Sequence, residues 1–419
     1  MGRAAAALVV VFALQAPPPS AWARESVSSS SFFGRLARSE HLLFGVEAER
    51  DALKEAGLDL SLFYNAFTGF RLAGGDGGKH VEQSGSADFF AIADLDRLGL
   101  RGAGTLLLQV KALHDRNVNP SIGALSDPID DADGDDFYLD QLWFEQPFFD
   151  HRLHWRIGYL DQQVLVDRNA YANSEDRQFF ATALDNNNLI VPVGVGLGTA
   201  LSFEPVWWFR FVYTMSDTQG RAARAGWDTA FDGFDAHFHV AEVTIVSRLP
   251  GRRGPLGGSY RIGGIFDPRP RRKFGAPPAP AAAEVEADYG FYLSVDQQVF
   301  AEEADAKQGL GLFARYGHRD GSANSVSHFW SFGAEYAGPF PGRDGDAFGL
   351  GFYGAHGSDR RRETVDPEFD AEFGAEAYLR FEVAPWLDVT PDLQALHNPG
   401  GRRSEQDALV AALRVRITF

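Results

Sequence analysis

Charged and amide side chains occupy alternate positions in several short stretches of the chain, with apolar residues between them. The candidates are Lys111, Gln141, Trp143, Glu145, Arg156, Arg210, Arg315, Arg380, Asp392 and Gln394. A guanidinium donates to two oxygens at once, and a carboxylate or amide oxygen accepts from a neighbouring hydroxyl. Since each bond replaces one to water, its net value is about 1 kcal/mol. Such a set suits weak contact with a polyhydroxylated solute, and it equally suits ion pairs that only brace a wall.

The same pattern includes two aromatic residues, Trp143 and Trp208, that fall in phase with the polar positions. An inward indole would add a flat apolar surface beside the hydrogen-bonding groups. Arg156 and Glu145 are the pair that we expect nearest to the narrowest point of the wall.

Other chemistry finds little support in the sequence. The chain has no cysteine, which excludes thiolate catalysis and disulfides, and no Ser, His and Asp occur at nucleophile-elbow spacing. His237 and His239 share a face without a third ligand, so no metal site is expected. The acidic stretch 130–136 has Leu142 where a calcium loop starting at Asp131 needs Glu. We therefore expect no enzyme, metal or cofactor, and interpret the stretch as a solvated loop or a loose divalent contact with lipopolysaccharide.

The elements that carry these residues have the period of two that is typical of β-strands. In 153–161, Leu153, Trp155, Ile157 and Tyr159 share one face, and Arg156 lies on the other. One oily and one polar face, with aromatic residues near strand ends, favour a membrane barrel over a soluble sandwich. About sixteen such segments follow one another, an even number: 58–68, 88–96, 105–114, 137–146, 153–161, 195–203, 207–216, 237–248, 259–267, 288–300, 309–318, 328–337, 346–356, 372–383, 387–396 and 407–419.

This pattern predicts an all-β fold, a transmembrane antiparallel β-barrel preceded by a short N-terminal helix. In segment 237–248 the alternation is least regular, because Glu242 is in phase with the oily positions Phe238 and Val240. Short and long connections alternate, so we expect the short turns to face the periplasm and the long loops to face outside. Loop 162–194 is the longest connection, and we expect it to fold into the barrel and narrow it.

The chain divides into three parts. Residues 1–23 have the basic start, short apolar run and Ala-x-Ala end of a signal peptide, which indicates export. Residues 24–57 contain a charged helical run, about 47–56, with Gly57 at the C-cap, and residues 58–419 form the predicted barrel. No later apolar run reaches 18 residues, and the net charge of −18 argues against nucleic acid as a partner.

Four stretches of the sequence are distinctive: "RDALKEAGLDLSLFYNAFTGF" (50–70), "QLWFEQPFFDHRLHWRIGYLDQQ" (141–163), "GLFARYGHRDGSAN" (311–324) and "YLRFEVAPWLDVTPDLQALHNPGG" (378–401). They resemble the carbohydrate-selective porin family, the OprB-type outer-membrane channels. The resemblance implies a sixteen-stranded barrel in the outer membrane and passive diffusion of small sugars such as glucose. The acidic loop 127–136 and the Pro/Ala-rich stretch 268–287 depart from the family pattern, which leaves the preferred sugar undefined.

Alternatives remain open at this point. An anion-selective, carboxylate-selective or general diffusion porin would also use luminal arginines, and a barrel lipid hydrolase or an adhesive barrel would keep the same strands. The sequence leaves both a monomer and a homo-oligomer open.

The last segment ends on Phe419, with Leu409, Leu413, Val415 and Ile417 on the same face. We expect this strand to close the barrel, with Arg414 and Arg416 turned inward. The terminal aromatic residue also resembles the signal by which the outer-membrane assembly machinery recognises its clients.

Overall fold

The structure is a computed structural model that describes residues 39–419 except 44, 76–79, 187–194, 221–235, 253, 278–283, 286 and 303–307. The expected signal peptide lies outside the described residues, as do residues 24–38 and 44 of the segment that follows it. Within the described part, no helix is both long enough and apolar enough to cross a membrane.

Eighteen strands and a few short helices make up the described chain. The helices are α1 (Glu47–Ala56), α2 (Asn119–Ile122), α3 (Thr182–Asp185), α4 (Asp359–Thr364) and a 3-10 turn (Pro399–Gly401). The strands are β1 (Leu58–Ala73), β2 (Val81–Asp94), β3 (Thr105–Asp115), β4 (Asp136–Phe148), β5 (Leu153–Asp161), β6 (Val195–Val206), β7 (Phe209–Asp217), β8 (His237–Gly251), β9 (Gly254–Asp267), β10 (Arg271–Arg272), β11 (Glu284–Val285), β12 (Asp288–Ala301), β13 (Gly309–Arg319), β14 (Val326–Ala337), β15 (Ala347–Gly357), β16 (Ala371–Ala384), β17 (Leu387–His397) and β18 (Ala408–Thr418).

Sixteen of these strands form one closed antiparallel barrel, and β10 pairs only with β11. Each barrel strand pairs with its neighbours in sequence, and β9 pairs with β12. The barrel closes where β1 meets β18, with Phe63 opposite Thr418 and Phe70 opposite Ala411. Closure satisfies the backbone of both edge strands, as a bilayer requires. The predicted fold class, the strand number and the closing role of the last strand are confirmed.

Alternation along the strands separates an outer face from an inner one. Trp155 and Ile157 of β5 are exposed on the outside, as are Leu312 of β13 and Leu350 of β15. Tyr159 was expected on the same oily face but is buried. Gly158, just before it, has a positive φ of 140°, and the pairing of β5 with β4 and β6 stays in register through both residues.

Strand β8 carries its side chains the opposite way from the sequence interpretation. Phe238 and Val240, expected to face lipid, are completely buried inside the barrel together with Glu242. His237 and His239 take the outer positions instead, in line with exposed Ile245. Hydrophobicity misled the prediction here because the interior of this barrel contains an apolar core of its own.

The connections follow the predicted order of short turns and long loops. Turns of two to four residues join β4 to β5, β6 to β7 and β16 to β17, and long loops leave the opposite end of the barrel. We call these two ends the short-turn end and the long-loop end. At the short-turn end, α1 ends at Gly57, whose left-handed φ of 104° lets its N–H bond the carbonyls of Leu53 and Lys54. The predicted helix and its glycine cap are confirmed.

Candidate functional site

Two loops from the long-loop end turn into the barrel. Residues 162–186, which follow β5, are here called the constriction loop, and residues 116–135, between β3 and β4, the second inward loop. The inward course expected for loop 162–194 is confirmed for residues 162–186, and residues 187–194 lie outside the described part.

Two glutamates of β16 hold the backbone of these loops. Glu376 accepts hydrogen bonds from the amides of Phe180 (2.6 Å) and Ala181 (2.9 Å) in the constriction loop. Glu372 lies four residues earlier on the same face of the strand, since side chains alternate along it. It accepts hydrogen bonds from the amides of Leu125 (2.6 Å) and Ser126 (3.0 Å) in the second inward loop. One strand therefore anchors both loops through paired amide contacts.

Two arginines hold the carbonyl groups of the constriction loop. Arg315 of β13, whose side chain is 0% exposed, bonds the carboxylate of Asp167 (2.7 Å) and the carbonyl of Leu184 (3.2 Å). Arg414 of β18 donates to the carbonyls of Glu175 (2.6 Å) and Gln178 (2.9 Å). Because a guanidinium presents several donors in a fixed fork, each arginine fixes two points of the loop at once.

Lys111 of β3 joins the two loops to each other. Its ammonium lies 2.7 Å from Asp131 of the second inward loop and 2.9 Å from Glu175 of the constriction loop. Asp131 is buried and also accepts from Ser86 of the wall. The interpretation of the acidic stretch as a solvated loop is therefore wrong at Asp131, because a wall lysine and a wall hydroxyl compensate its buried charge.

Apolar packing completes the attachment of the loops to the wall. The ring of Phe179 meets Phe313 at 5.4 Å and Tyr378 at 5.0 Å between ring centroids, both edge to face. Glycines in the wall make room: a Cβ at Gly311 would overlap the ring of Tyr171, and one at Gly351 would lie 2.8 Å from Leu184. The loops thus build a dry core inside the barrel on one side of the lumen.

The opposite wall, formed by β4 to β7, carries a different arrangement. Arg156 donates twice to one carboxylate oxygen of Glu145, at 3.2 and 2.9 Å, and its guanidinium lies 3.6 Å above the ring of Trp143. Glu145 also contacts His154 through its second oxygen, at 3.1 Å. The side chains of Arg156 and Glu145 keep 16% and 22% of their surface exposed. This pair is ordered yet still open to the lumen.

Two more arginines lie close to this pair. Arg210 of β7 pairs with Glu204 (3.1 Å), bonds Ser202 (3.2 Å) and keeps 17% of its side chain exposed. Arg168 of the constriction loop is exposed and near enough to act electrostatically on both Arg156 and Arg210. Three guanidiniums thus border the open side of the lumen. Arg168 escaped the sequence prediction because it lies in a loop without strand periodicity.

The predicted site residues divide between these two sides. Glu145, Arg156 and Arg210 border the open lumen. Arg380 donates to the carbonyl of Arg177 in the constriction loop (3.2 Å). The remaining candidates are buried in the wall or against the loops: Lys111, Gln141, Trp143, Arg315, Asp392 and Gln394.

The buried candidates form hydrogen bonds with other groups of the protein. Gln394 donates to the carbonyl of Pro128 (2.7 Å), and Asp392 accepts from Gln394 (2.8 Å). Trp143 donates to Gln141 (3.0 Å). Trp208 is not in a luminal strand as expected but in the two-residue turn before β7, where it is exposed. The predicted strand began too early because the turn itself is aromatic.

Comparison with known proteins agrees with this architecture. The family model described as "Carbohydrate-selective porin, OprB family" matches residues 80–419. The chain belongs to the carbohydrate-selective porin family. It is an outer-membrane porin, and both the family and the fold point to a channel rather than an enzyme.

Individual relatives are distant in sequence but similar along their whole length. Porin B of Pseudomonas aeruginosa is 25% identical over 413 residues, which cover 88% of this chain and 89% of that protein. The high-pH structure of Pseudomonas putida OprB superposes with a TM-score of 0.81 at 22% identity, covering 91% of this chain and 99% of that one. The low-pH structure of the same protein gives 0.60 at 19% identity, with the same coverage.

Proposed function

We propose that this porin lets small, glucose-like carbohydrates diffuse passively through its lumen. The observation that carries the proposal is the Arg156 and Glu145 pair, which is ordered by Trp143 and still open to the lumen. The guanidinium presents donors and the carboxylate presents acceptors, which is the combination that vicinal hydroxyls need. Each contact contributes about 1 kcal/mol, so a sugar is recognised and released again.

Solute contact is best assigned to the open side of the lumen. We assign it to Arg156, Glu145 and Arg210, and we add Arg168, whose exposed side chain comes from the constriction loop. Trp143 supports the site from beneath, because Arg156 covers its indole face at 3.6 Å. The residues that hold the loops, such as Arg315 and Lys111, set the width of the passage.

A liposome swelling series tests the proposal. Vesicles that contain the protein should swell in isotonic glucose, and the swelling rate should fall steeply as the sugar becomes larger. Equal rates for monosaccharides and uncharged polar solutes of the same size would mean a general diffusion pore and would overturn carbohydrate selectivity.

An anion-selective channel is the second candidate, favoured by the three guanidiniums Arg156, Arg168 and Arg210 at the open side. Among the described residues, two carboxylates pair with them there, Glu145 with Arg156 and Glu204 with Arg210. Reversal potentials in a salt gradient decide between the two candidates. Strong anion selectivity together with glucose-insensitive current would favour the anion channel.

Assembly and membrane contacts belong to the same proposal. We assign residues 1–23 to an export signal, the exposed apolar band to outer-membrane lipid, and Phe419 to recognition by the assembly machinery. Phe419 pairs through its amide with the carbonyl of Leu62 (2.9 Å), and its carbonyl accepts from Arg50 (2.8 Å). Deletion of Phe419 should lower the amount of heat-resistant barrel in the outer membrane, and undiminished assembly would contradict the role.

A further inference from the structure

Histidines are concentrated on the outer face of the barrel at its long-loop end. The chain has eleven histidines, and seven lie at outward positions in the strand ends next to the long loops: His114, His237, His239, His318, His328, His356 and His397. The short-turn end instead exposes Phe and Trp side chains, for example Phe148, Trp155 and Trp207. The two interfacial girdles of this barrel therefore differ in chemistry, since one is rich in imidazole side chains and the other is apolar.

Three of these histidines form a row across neighbouring strands. His318 of β13 lies directly opposite His328 of β14, and His328 lies opposite His356 of β15. The rings of His318 and His328 are 4.6 Å apart between centroids. Cross-strand pairs at this distance interact directly, so two protonated rings here repel each other unless an anion lies beside them.

The three rings of the row differ in the hydrogen bonds that their nitrogens make. Trp330 donates its indole N–H to Nε2 of His356 (3.1 Å), which requires that nitrogen to stay unprotonated. His328 meets the hydroxyl of Tyr316 through Nδ1 (2.9 Å), and this hydroxyl can accept as well as donate, so the contact survives protonation. Nδ1 of His318 is buried and has no hydrogen-bond partner among the described residues. The hydrogen bonds described for His318 and His328 therefore do not require an unprotonated nitrogen, unlike that of His356.

Few other groups face this pair. Phe291 of β12 lies 5.8 Å from His318 between ring centroids, and Asp359 of α4 is the acidic group that acts on His328. Asp359 is itself paired with Arg362 in the same helix. In the part of the chain that the structure describes, the row thus lacks an anionic partner of its own that could neutralise two imidazolium rings.

We propose that His318 and His328 form a pH-dependent contact for the phosphate groups of outer-leaflet lipopolysaccharide. Long loops of outer-membrane barrels face outside, so the row lies at the depth of the lipid headgroups in the outer leaflet. A phosphate beside the two rings offsets the repulsion between them when both are protonated. The contact strengthens as the pH falls through the range in which histidine titrates. It concerns the outer surface and is independent of what passes through the lumen.

Nanodiscs that contain the full chain and lipid A provide the test. We expect the protein to bind lipid A about tenfold more tightly at about pH 5.5 than at about pH 7.5, because two partly exposed ion pairs form at the lower pH. The gain should disappear with dephosphorylated lipid A and in the double variant His318→Gln/His328→Gln. The matched control His114→Gln/His397→Gln removes two histidines of the same girdle outside the row and should keep the gain.

Several outcomes would overturn the proposal. The affinity gain at low pH could be equally large with dephosphorylated lipid A, or equally large in the double variant. Inorganic phosphate at the same concentration as lipid A could also displace the lipid A completely. A pH-dependent change of oligomeric state in discs without lipid A would mean that a second copy of the chain covers the row, and it would also contradict the proposal. Heat-resistant migration at about pH 7.5 verifies that each variant is folded, and the single variant His328→Gln replaces the double variant if the latter does not assemble.

Discussion

The two sides of the lumen use the same residue types for different ends. On the side of β13 to β18, Arg315, Glu376 and Arg414 are buried and each bonds the constriction loop. On the side of β4 to β7, Arg156 and Glu145 bond each other and remain partly exposed. The difference lies in what covers them, because backbone and side-chain groups of the constriction loop bond the charges on the first side. In this account, an inward charge of the barrel contacts solute where the loops leave its side chain partly exposed.

This comparison separates the width of the passage from its selectivity. Residues on the packed side fix the loops and hence the cross-section, whereas residues on the open side meet the solute. Variants on the packed side should change conductance, and variants on the open side should change sugar block.

Shortening the constriction loop should have the largest effect. Removal of residues 170–179 deletes the Phe179 packing against Phe313 and Tyr378 and the carbonyls held by Arg414. Single-channel conductance should rise severalfold because this segment occupies part of the barrel interior. Unchanged conductance, in a variant that still migrates as a folded barrel, would mean that the loop does not set the width.

Arg315→Ala should come next in size. It leaves Asp167 without its 2.7 Å ion-pair partner in a buried position, and such a loss costs about 3–5 kcal/mol. We expect noisy, higher conductance and faster proteolysis within the loop, since docking is weakened while the barrel strands are untouched. Arg156→Ala serves as the comparison on the open side and should leave loop proteolysis as it is in the wild type. Equal protease sensitivity of the two variants would remove the distinction between the sides.

A pH dependence of conductance should follow from Asp185 of α3. Burial and the nearby charge of Asp130 raise the pKa of Asp185 well above its usual range in the docked loop, although Arg315 opposes the shift. A carboxyl with a raised pKa stabilises the docked state while it is protonated, and this stabilisation is lost as the pH rises through that pKa. Conductance should therefore increase with pH.

The variant Asp185→Asn tests the cause of that dependence. It keeps the side chain neutral at every pH, so the rise of conductance with pH should flatten. A profile as steep as that of the wild type would assign the effect to other groups.

Gly311→Ala should have a smaller effect on the packed side. The added methyl group overlaps the ring of Tyr171 and forces the loop to shift locally. We expect a modest change in conductance with the folded barrel retained. Gly264→Ala is the matched control, because a Cβ there meets no atom within 4 Å. A change of the same size in the control would show that glycine replacement itself, and not the contact with Tyr171, is responsible.

Much of the fold is readable from the sequence because strand alternation is a local signal. Segment 153–161 coincides with β5, and the closing strand and the Gly57 cap follow from short-range patterns. Alternation could not identify the face of β8, where Phe238 and Val240 point inward to the core built by the loops. That core depends on contacts between residues far apart in the chain.

The candidate site was predictable only as a set of inward residues. The pattern placed Arg156 and Arg315 in the same group of inward residues, and no local sequence feature distinguishes them. Their different roles depend on the path of the constriction loop, which carries no periodic signal. The same absence of periodicity hid Arg168, although the loop that contains it was expected to turn inward.

The block of single-channel current by glucose tests the central claim most directly. Glucose should reduce the current of the wild type, and Arg156→Ala should bind it about fivefold more weakly because about 1 kcal/mol of hydrogen bonding is lost. The unblocked conductance and the heat-resistant band of the variant should stay as in the wild type. Equal block in the variant and the wild type would contradict the assignment of solute contact to the open side of the lumen.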